Sequence, residues 1–386
     1  MKYIYVLLIL VPIALLLEFV VHPGATTIFV VSALALVPLA AVLGKATEEL
    51  AIHTGPRIGG LLNATLGNAA ELIITIVALN AGLVTLVKAS IIGSILGNIL
   101  VVLGLSLLLG GLKNGPQFFN RTEAGIVAAL LLLSVIAMGV PTAFSRTVGS
   151  DITTLSEEVS VIMILMYAAY LAYSFLGNRA AAPAQAAVGS AARQTVPASV
   201  GESNPHTGEG LAPQAAQADP NHDDPAHGEA HQATWSLSRS LSVLAASTLA
   251  IVFMSEFIVG AVQEVTEQLH LSEFFLGVMI IPLVGNVAEH IVGVQVAYKN
   301  QMDLSLGISL GSSLQIALFV APVLVFVSLF VGPEPIDLVF TTFEMIALMA
   351  AVVVGVVVSL DGESNWLEGA LLVGVYLILG FAFYYV

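Results

Sequence analysis

Two short segments of the chain, Gly67-Asn68-Ala69-Ala70-Glu71 and Gly285-Asn286-Val287-Ala288-Glu289, carry most of the information about its fold. Each segment places a carboxylate in the middle of a long apolar stretch. A shift of 218 residues superposes the two segments without a gap, and the same shift superposes Glu49 on Glu267, Gly59 on Gly277, and Gly93-Ser94 on Gly311-Ser312. Similarity at one fixed offset indicates duplicated structure. The chain is therefore predicted to contain two related halves.

The composition of the chain indicates a membrane protein. Of its 386 residues, 58% are hydrophobic and 10% are charged, and the mean hydropathy is +0.97. These values are far more apolar than those of a soluble domain. A helix of about 20 apolar residues crosses roughly 30 Å of hydrocarbon. Eleven runs of about that length occur, at 4–21, 27–44, 60–82, 86–110, 123–141, 158–177, 240–262, 274–297, 304–331, 338–359 and 366–386.

The runs lack the alternating pattern of barrel strands, so we predict an all-α integral membrane protein with about eleven transmembrane helices. Residues 1–25 hold the first helix, which has no signal-peptide cleavage site and is expected to be retained. Residues 26–177 form repeat one (helices 2–6), 178–236 a flexible polar linker, and 237–386 repeat two (helices 7–11). Because each repeat holds five helices, an odd number, the repeats are inverted. This architecture recurs among secondary transporters.

The basic residues indicate how the chain is oriented in the membrane. With eleven spans, nine of the eleven Lys and Arg residues fall on the side of the N-terminus, and Lys88 and Arg146 fall opposite. By the positive-inside rule, the N-terminus and the linker are predicted to be cytoplasmic and the C-terminus external. We expect a prokaryotic plasma membrane. The chain has no cysteine, which excludes disulfides, thiolate metal sites and a cysteine nucleophile.

Glu71 and Glu289 are the principal candidate functional residues. A charge at the centre of a bilayer costs at least about 2.5–3.5 kcal/mol and usually faces a cavity or a partner. Each glutamate has an asparagine three residues earlier, Asn68 or Asn286, so an amide and a carboxylate share one helical face. Carboxylates, amide oxygens, backbone carbonyls and water form a hard-oxygen site of the kind that suits Ca²⁺.

The helix that follows each motif adds polar residues to an otherwise apolar run. We expect four of them to line the site: Ser94, Asn98, Ser312 and Gln315. Small residues also let helices pack closely in lipid. That alternative stays open for the serines of both runs, which are Ser90, Ser94, Ser309, Ser312 and Ser313.

These motifs resemble those of the calcium/proton exchangers of the calcium/cation antiporter superfamily. The resemblance extends over every predicted span except the first. The stretches that carry it are 63–73 (NATLGNAAELI), 93–98 (GSILGN), 282–290 (PLVGNVAEH), 311–315 (GSSLQ) and 365–369 (NWLEG). The resemblance implies a Ca²⁺ site between two inverted repeats, with Glu71 and Glu289 as the main acids. Sodium-coupled relatives typically carry a Ser/Thr-x-Pro-Asp/Glu pattern, which is absent here. Protons are therefore favoured as the driving ion.

Two neighbouring carboxylates in a cavity of low dielectric repel each other, so they hold protons unless a cation neutralises them. Ca²⁺ and protons would then exclude each other. The predicted function is Ca²⁺/H⁺ antiport by alternating access, without enzyme activity, a cofactor or a nucleic-acid partner. A Na⁺/Ca²⁺ exchanger is the nearest alternative. A cation channel and an intramembrane protease are less favoured, because inverted repeats indicate alternating access and aspartyl proteases of the membrane need two aspartates.

Other titratable residues are secondary candidates. Glu256, His290 and Glu344 lie inside predicted spans and are candidate proton relays or gates, with a buried hydrogen bond as the alternative for the glutamates. Four acids near the ends of spans two and seven either attract cations to the entrances or are solvated helix ends: Glu48, Glu49, Glu264 and Glu267. A linker patch is expected to be solvated rather than to bind Zn²⁺, and its members are His206, His222, Asp223, Asp224, His227, Glu229 and His231.

Overall fold

The computed structural model describes residues 5–176 and 233–386, and both stretches are mainly helical. The helices are α1 (Leu7–Val21), α2 (Ala25–Leu66), α3 (Ala69–Asn80), α4 (Val84–Asn114), α5 (Arg121–Val148), α6 (Ile152–Leu176), α7 (Leu237–Leu269), α8 (Glu273–Gly285), α9 (Val287–Tyr298), α10 (Met302–Val327), α11 (Thr342–Val358) and α12 (Trp366–Tyr384). Two short strands, β1 (Gln117–Phe118) and β2 (Glu363–Ser364), pair antiparallel. The linker patch of histidines and acids lies outside the described residues.

The helices fit the all-helical membrane fold predicted from composition. Within the described residues, six helices are long and apolar enough to cross a membrane, or seven if the bent pair α8 and α9 counts as one. One of the six, Arg121–Ser174, has 54 residues and would be about 80 Å long if straight, against roughly 30 Å of hydrocarbon. It contains α5 and α6, which pack against each other. Each of the eleven predicted runs overlaps a helix or a helix pair.

The predicted runs 60–82 and 274–297 are each broken in two at the Gly-Asn motif. Helix α2 ends at Leu66 before α3 begins at Ala69, while α8 and α9 meet at Asn286 with a bend of 61°. Asn68 (φ −98°, ψ 23°) and Asn286 (φ −96°, ψ 3°) depart from the helix in the same way. Broken backbone at membrane depth is tolerated only where it is buried in protein or lines a cavity. The two breaks therefore mark the candidate site.

Helices from the two halves approach closely around these breaks. A Cβ at Gly93 of α4 would lie 2.2 Å from the carbonyl oxygen of Val278, and a Cβ at Gly277 of α8 would lie 2.7 Å from Cβ of Ala89. Only glycine fits at such contacts. Helix α9 packs against α4 and α10, and α3 packs against α7. Both breaks are thus enclosed by helices of both halves.

Helix α2 is broken at Gly55 (φ 82°, ψ 171°), and the end of its first part differs from the expectation of a solvated helix end. Glu49 is fully buried, and its Oε2 accepts hydrogen bonds from the backbone N–H of Thr234 at 2.7 Å and of Trp235 at 3.1 Å. The hydroxyl of Thr234 donates to Oε1 of the same carboxylate. The segment before α7 therefore folds back onto α2, a tertiary contact that local sequence does not encode. Glu267, the repeat counterpart of Glu49, is exposed.

Candidate ion-binding site

The two helix breaks bring the motif of each half into the same buried region. Glu71 is 8% exposed and Glu289 is half-buried. A Cβ at Gly285, in the second half, would lie 3.6 Å from Cγ of Glu71 and 3.9 Å from its Oε1. Gly285 precedes Glu289 by only four residues, so the motif of the second half lies against Glu71. The structure therefore brings Glu71 of the first half against the Gly-Asn motif that precedes Glu289 in the second half.

Both carboxylates lie in the first turn of a helix, Glu71 in α3 and Glu289 in α9. The first turn has backbone N–H groups without helical partners and carries partial positive charge, which stabilises an anion. Ser312 of α10 adds a direct hydrogen bond, because its Oγ donates to Oε2 of Glu289 at 2.6 Å. The broken helices therefore offset part of the cost of burying two acids.

The two motif asparagines bond across the interface between the halves. Nδ2 of Asn68 donates to Oε1 of Gln315 at 2.7 Å, and Nδ2 of Asn286 donates to Oγ of Ser94 at 3.2 Å. Each bond joins a motif in one half to the following helix of the other half. Among the described residues, Oδ1 of both asparagines and Oε2 of Glu71 are buried and accept no hydrogen bond. Buried acceptors of this kind require a cation, a water molecule or another donor.

Asn98 lies beside this region but has a different environment. It belongs to a π-helical segment of α4, Gly97–Leu103, and is 1% exposed. Its Nδ2 has no hydrogen-bond partner in the part of the chain that the structure describes. Single π-helical turns are frequent at functional sites. All eight residues predicted to bind or line the site are therefore buried or half-buried, and three hydrogen bonds join six of them in pairs.

The three candidate relay residues lie in different places. Glu256 is exposed on α7, whereas the motif residues are buried or half-buried. Glu344 is buried in a capping box at the start of α11, where its Oε2 accepts from the N–H of Thr341 at 2.7 Å. His290 is buried next to Glu289, and its Nε2 has no partner among the described residues. A transport role for these three stays a prediction.

The serines that the sequence allowed to serve helix packing alone fall into two groups, which differ in their hydrogen bonds. Ser309 and Ser313 donate to backbone carbonyls of their own helix, at 2.9 and 2.8 Å. Ser90 instead donates across to the carbonyl of Gly277 at 3.4 Å and lines a small cavity beside Glu71. Thr75 lines the same cavity and was not among the predicted site residues. Its position one turn after Glu71 on an apolar helix was the signal that could have identified it.

The donor set of the site suits a hard cation. No group of three or more His, Cys, Asp or Glu residues that could hold a metal occurs within residues 5–176 and 233–386. The oxygen atoms come instead from two glutamates, two amides and nearby hydroxyls. Ca²⁺ binds to such oxygen ligands, whereas Zn²⁺ sites in proteins rely mainly on sulfur and imidazole nitrogen.

An all-helical apolar fold whose paired broken helices enclose a buried acidic site defines an integral membrane transporter. A family model described as sodium/calcium exchanger protein matches residues 24–176 and 239–385. The chain belongs to this family. The resemblance to calcium/proton exchangers that the motifs indicate is confirmed by its relatives.

Two curated relatives and one solved structure illustrate the similarity. The chain is 40% identical to a protein of Aphanothece halophytica named Ca²⁺/H⁺ antiporter, with 98% of this chain and 95% of the relative covered. It is also 40% identical to the Ca²⁺/H⁺ antiporter ChaA of Bacillus subtilis, with 94% and 93% covered. A crystal structure of the selenium-substituted Ca²⁺/H⁺ antiporter protein YfkE matches with a TM-score of 0.77 and 36% identity, over 100% of both chains.

Proposed function

We propose that the protein is a secondary active antiporter that exchanges Ca²⁺ for H⁺ across a membrane. The observation that carries the proposal is the set of buried acceptor oxygens at Asn68, Asn286 and Glu71, which have no donor among the described residues. A bound divalent cation would provide these oxygens with the positively charged partner that they lack. The names of the relatives in Aphanothece halophytica and Bacillus subtilis support Ca²⁺ as the cation and H⁺ as the counter-ion.

Coupling follows from competition between Ca²⁺ and protons for Glu71 and Glu289. Ca²⁺ needs ionised carboxylates, whereas two buried carboxylates without a cation are costly unless they are protonated. An occupied site carries less uncompensated charge than an empty one, so occupied states rearrange more readily. Ca²⁺ movement in one direction is then tied to proton movement in the other. Asn68 and Asn286 complete the main site, and Ser94, Asn98, Ser312 and Gln315 position its ligands.

The membrane arrangement is part of the proposal. Eleven transmembrane helices form one N-terminal helix, at 1–25, and two inverted repeats of five, at 26–177 and 237–386. The two repeats rock about the shared site and expose it to each face in turn. The distribution of basic residues supports a cytoplasmic N-terminus and linker and an external C-terminus, in a prokaryotic plasma membrane. Glu256, His290 and Glu344 remain candidate proton relays or gates.

A Na⁺/Ca²⁺ exchanger is the second candidate, because the matching family model bears that description. The two candidates differ in the gradient that drives Ca²⁺. Purified protein in sealed liposomes should take up radioactive Ca²⁺ when only a pH gradient is imposed. It should take up none when only a Na⁺ gradient is imposed. Uptake driven by Na⁺ alone would replace the proposal with the second candidate.

The same liposomes test the two glutamates. Glu71→Gln and Glu289→Gln keep the size of each side chain but remove its charge, so each should abolish exchange. Glu363→Gln, in the exposed first position of β2, is the matched control and should transport like the parental protein. An unchanged elution profile from a sizing column shows that the variants are folded. Retained exchange in both site variants would remove the glutamates from the mechanism.

A further inference from the structure

A small cavity adjoins Glu71 on the side away from Asn68. Its polar lining comes from Glu71, Thr75, Ser90 and Ser94, and its remaining wall is mainly apolar side chains, among them Ile281. About 10 Å³ of the cavity is open to the centre of a water-sized sphere, which is roughly what one water molecule needs. The cavity therefore has room for one water or one dehydrated ion.

The cavity extends from Glu71 toward one face of the membrane. Thr75 lies one turn beyond Glu71 on α3, and Ser90 lies one turn before Ser94 on α4. The two helices meet at the turn 81–83, and we call this side of the molecule the Gly82 face. Helix α8 begins on the same face, because Oε1 of Glu273 accepts from the N–H of Leu86 at 3.1 Å. The hydroxyls thus lie between Glu71 and the Gly82 face.

The two hydroxyl groups are oriented as ligands for a cation. Oγ1 of Thr75 donates its hydrogen to the carbonyl of Glu71 at 2.7 Å, and Oγ of Ser90 donates to the carbonyl of Gly277 at 3.4 Å. A hydroxyl has one hydrogen and two lone pairs. With the hydrogen used by a carbonyl, the lone pairs remain to face the cavity that Glu71 also lines. Oε2 of the Glu71 carboxylate is buried and has no donor among the described residues.

The second half of the chain has no equivalent of this lining. The repeat offset places Gly293 opposite Thr75 and Ile308 opposite Ser90. A Cβ at Gly293 would lie 2.8 Å from Cγ1 of Val102 and 3.7 Å from Cγ2 of Ile308. The atoms nearest to that Cβ are apolar, and Oγ of Ser106 follows at 3.9 Å. Neither Gly293 nor Ile308 carries a side-chain oxygen of its own. The repeats share the main motif but differ one turn beyond it.

We propose that Thr75 and Ser90, together with Oε2 of Glu71, form a second oxygen site for a divalent cation, displaced toward the Gly82 face. The cation occupies it when it enters or leaves on that face. The equivalent positions of the second half, one turn beyond Glu289, are Gly293 and Ile308, which have no hydroxyl group to bind a cation. The inference rests on the proposed function only for the identity of the cation, which is taken to be Ca²⁺.

Thiol labelling tests the site directly, because the chain has no cysteine of its own. Ser90 is only 5% exposed in the structure, so the Ser90→Cys variant, in proteoliposomes, should react with a small membrane-impermeant thiol reagent added to the Gly82 face when that face opens to the site. Ca²⁺ should slow that reaction, by about tenfold when its concentration is ten times the half-protecting value. The Ala81→Cys variant, in the exposed turn, identifies the vesicles that present this face.

The matched control is Ser134→Cys. Ser134 is a fully buried serine of α5 that donates to the carbonyl of Leu130 at 2.6 Å and does not line the cavity. It should stay unmodified with and without Ca²⁺. The proposal is overturned if Ser90→Cys fails to react while Ala81→Cys does, or if Ca²⁺ leaves its reaction rate unchanged.

Transport kinetics provide a second readout. The double variant Thr75→Val and Ser90→Ala removes both oxygens without changing charge. Its KM for Ca²⁺ should rise about tenfold for Ca²⁺ supplied to the Gly82 face, as expected for lost buried ligands, and should stay at the parental value on the other face. The control pair, Thr47→Val and Ser134→Ala, removes buried hydroxyls that bond to their own helices. Equal KM values on both faces of the test variant would contradict the proposal.

The outcomes separate this inference from the proposed function. If Ca²⁺ protects Ser90→Cys but the parental protein shows no proton-driven uptake, the second site stands and the coupling ion is wrong. If proton-driven uptake is present but Ca²⁺ gives no protection, the second site alone is wrong.

Discussion

Nδ2 of Asn68 lies 2.7 Å from Oε1 of Gln315 and donates a hydrogen bond to it, although 247 positions separate the two residues. The bond joins the motif of the first half to α10 of the second half. It also uses the amide nitrogen of Asn68, so that Oδ1 is the atom available to a cation. The pairing of the halves and the chemistry of the site are therefore linked through one contact.

Replacing Gln315 should weaken Ca²⁺ binding without removing a charge. Gln315→Met keeps the length of the side chain but gives Asn68 no acceptor, so the amide is free to rotate its oxygen away. A hydrogen bond contributes about 0.5–1.5 kcal/mol net, which corresponds to a rise in the KM for Ca²⁺ of roughly 2- to 13-fold. Initial rates of Ca²⁺ uptake measure this. Gln268→Met, at an exposed glutamine, is the control, and equal KM values in the two variants would contradict the role of Gln315.

Ca²⁺ affinity should depend steeply on pH. Ca²⁺ binds to ionised carboxylates, so protons that occupy Glu71 and Glu289 must leave first. The apparent Kd for Ca²⁺ should rise as pH falls, by up to about 100-fold per pH unit if two protons are displaced, and should level off at high pH. Calorimetric Ca²⁺ titrations at a series of pH values measure the slope. A Kd that is constant over the acidic range would argue against competition at the two glutamates.

The close approach of α4 and α8 should be sensitive to one added methyl group. Gly93→Ala would place a Cβ 2.2 Å from the carbonyl oxygen of Val278, so the helices must separate. Such overpacking costs about 1–3 kcal/mol and should lower the melting temperature in detergent. Gly125→Ala, on α5 with nothing within 4 Å of the new Cβ, is the control. Equal melting temperatures in the two variants would show that the contact is not tight.

The buried carboxylate of Glu49 should hold the start of α7 in place. Glu49→Ala leaves the backbone N–H groups of Thr234 and Trp235 without their acceptor, at a cost of about 1–3 kcal/mol for a buried group. Their amide hydrogens should exchange faster with solvent, as measured by mass spectrometry. Glu267→Ala removes the exposed counterpart and should leave the exchange of 234–235 unchanged. Parental exchange rates in Glu49→Ala would show that other contacts hold this segment.

Much of the fold follows from local sequence patterns. Long apolar runs predict helices because backbone polar groups must be satisfied within the lipid, and each predicted run overlaps a helix of the structure. The fixed offset between Glu71 and Glu289 indicated that their motifs are related. The eight residues predicted to bind or line the site are all buried or half-buried, and six of them form three hydrogen-bonded pairs.

The remaining features depend on contacts that are distant in sequence. The glycine at the start of each motif permits local unwinding, but the sequence does not specify the 61° bend at Asn286, because the bend depends on how neighbouring helices fill the gap left by the break. The burial of Glu49 arises from a segment 185 positions away. Thr75 was missed because a threonine on an apolar helix commonly bonds to its own backbone, and only the cavity beside Glu71 shows that it also has a lone pair to offer.

In the proposed mechanism, Ca²⁺ and protons compete for the same two carboxylates. The most direct test of this competition is to measure proton release on Ca²⁺ binding. Purified protein in weakly buffered solution near the midpoint of its pH dependence should release protons when Ca²⁺ is added, up to two for each Ca²⁺ bound, because the ion displaces them from Glu71 and Glu289. Glu363→Gln should release as many as the parental protein. Ca²⁺ binding with no proton release at any pH would contradict the account.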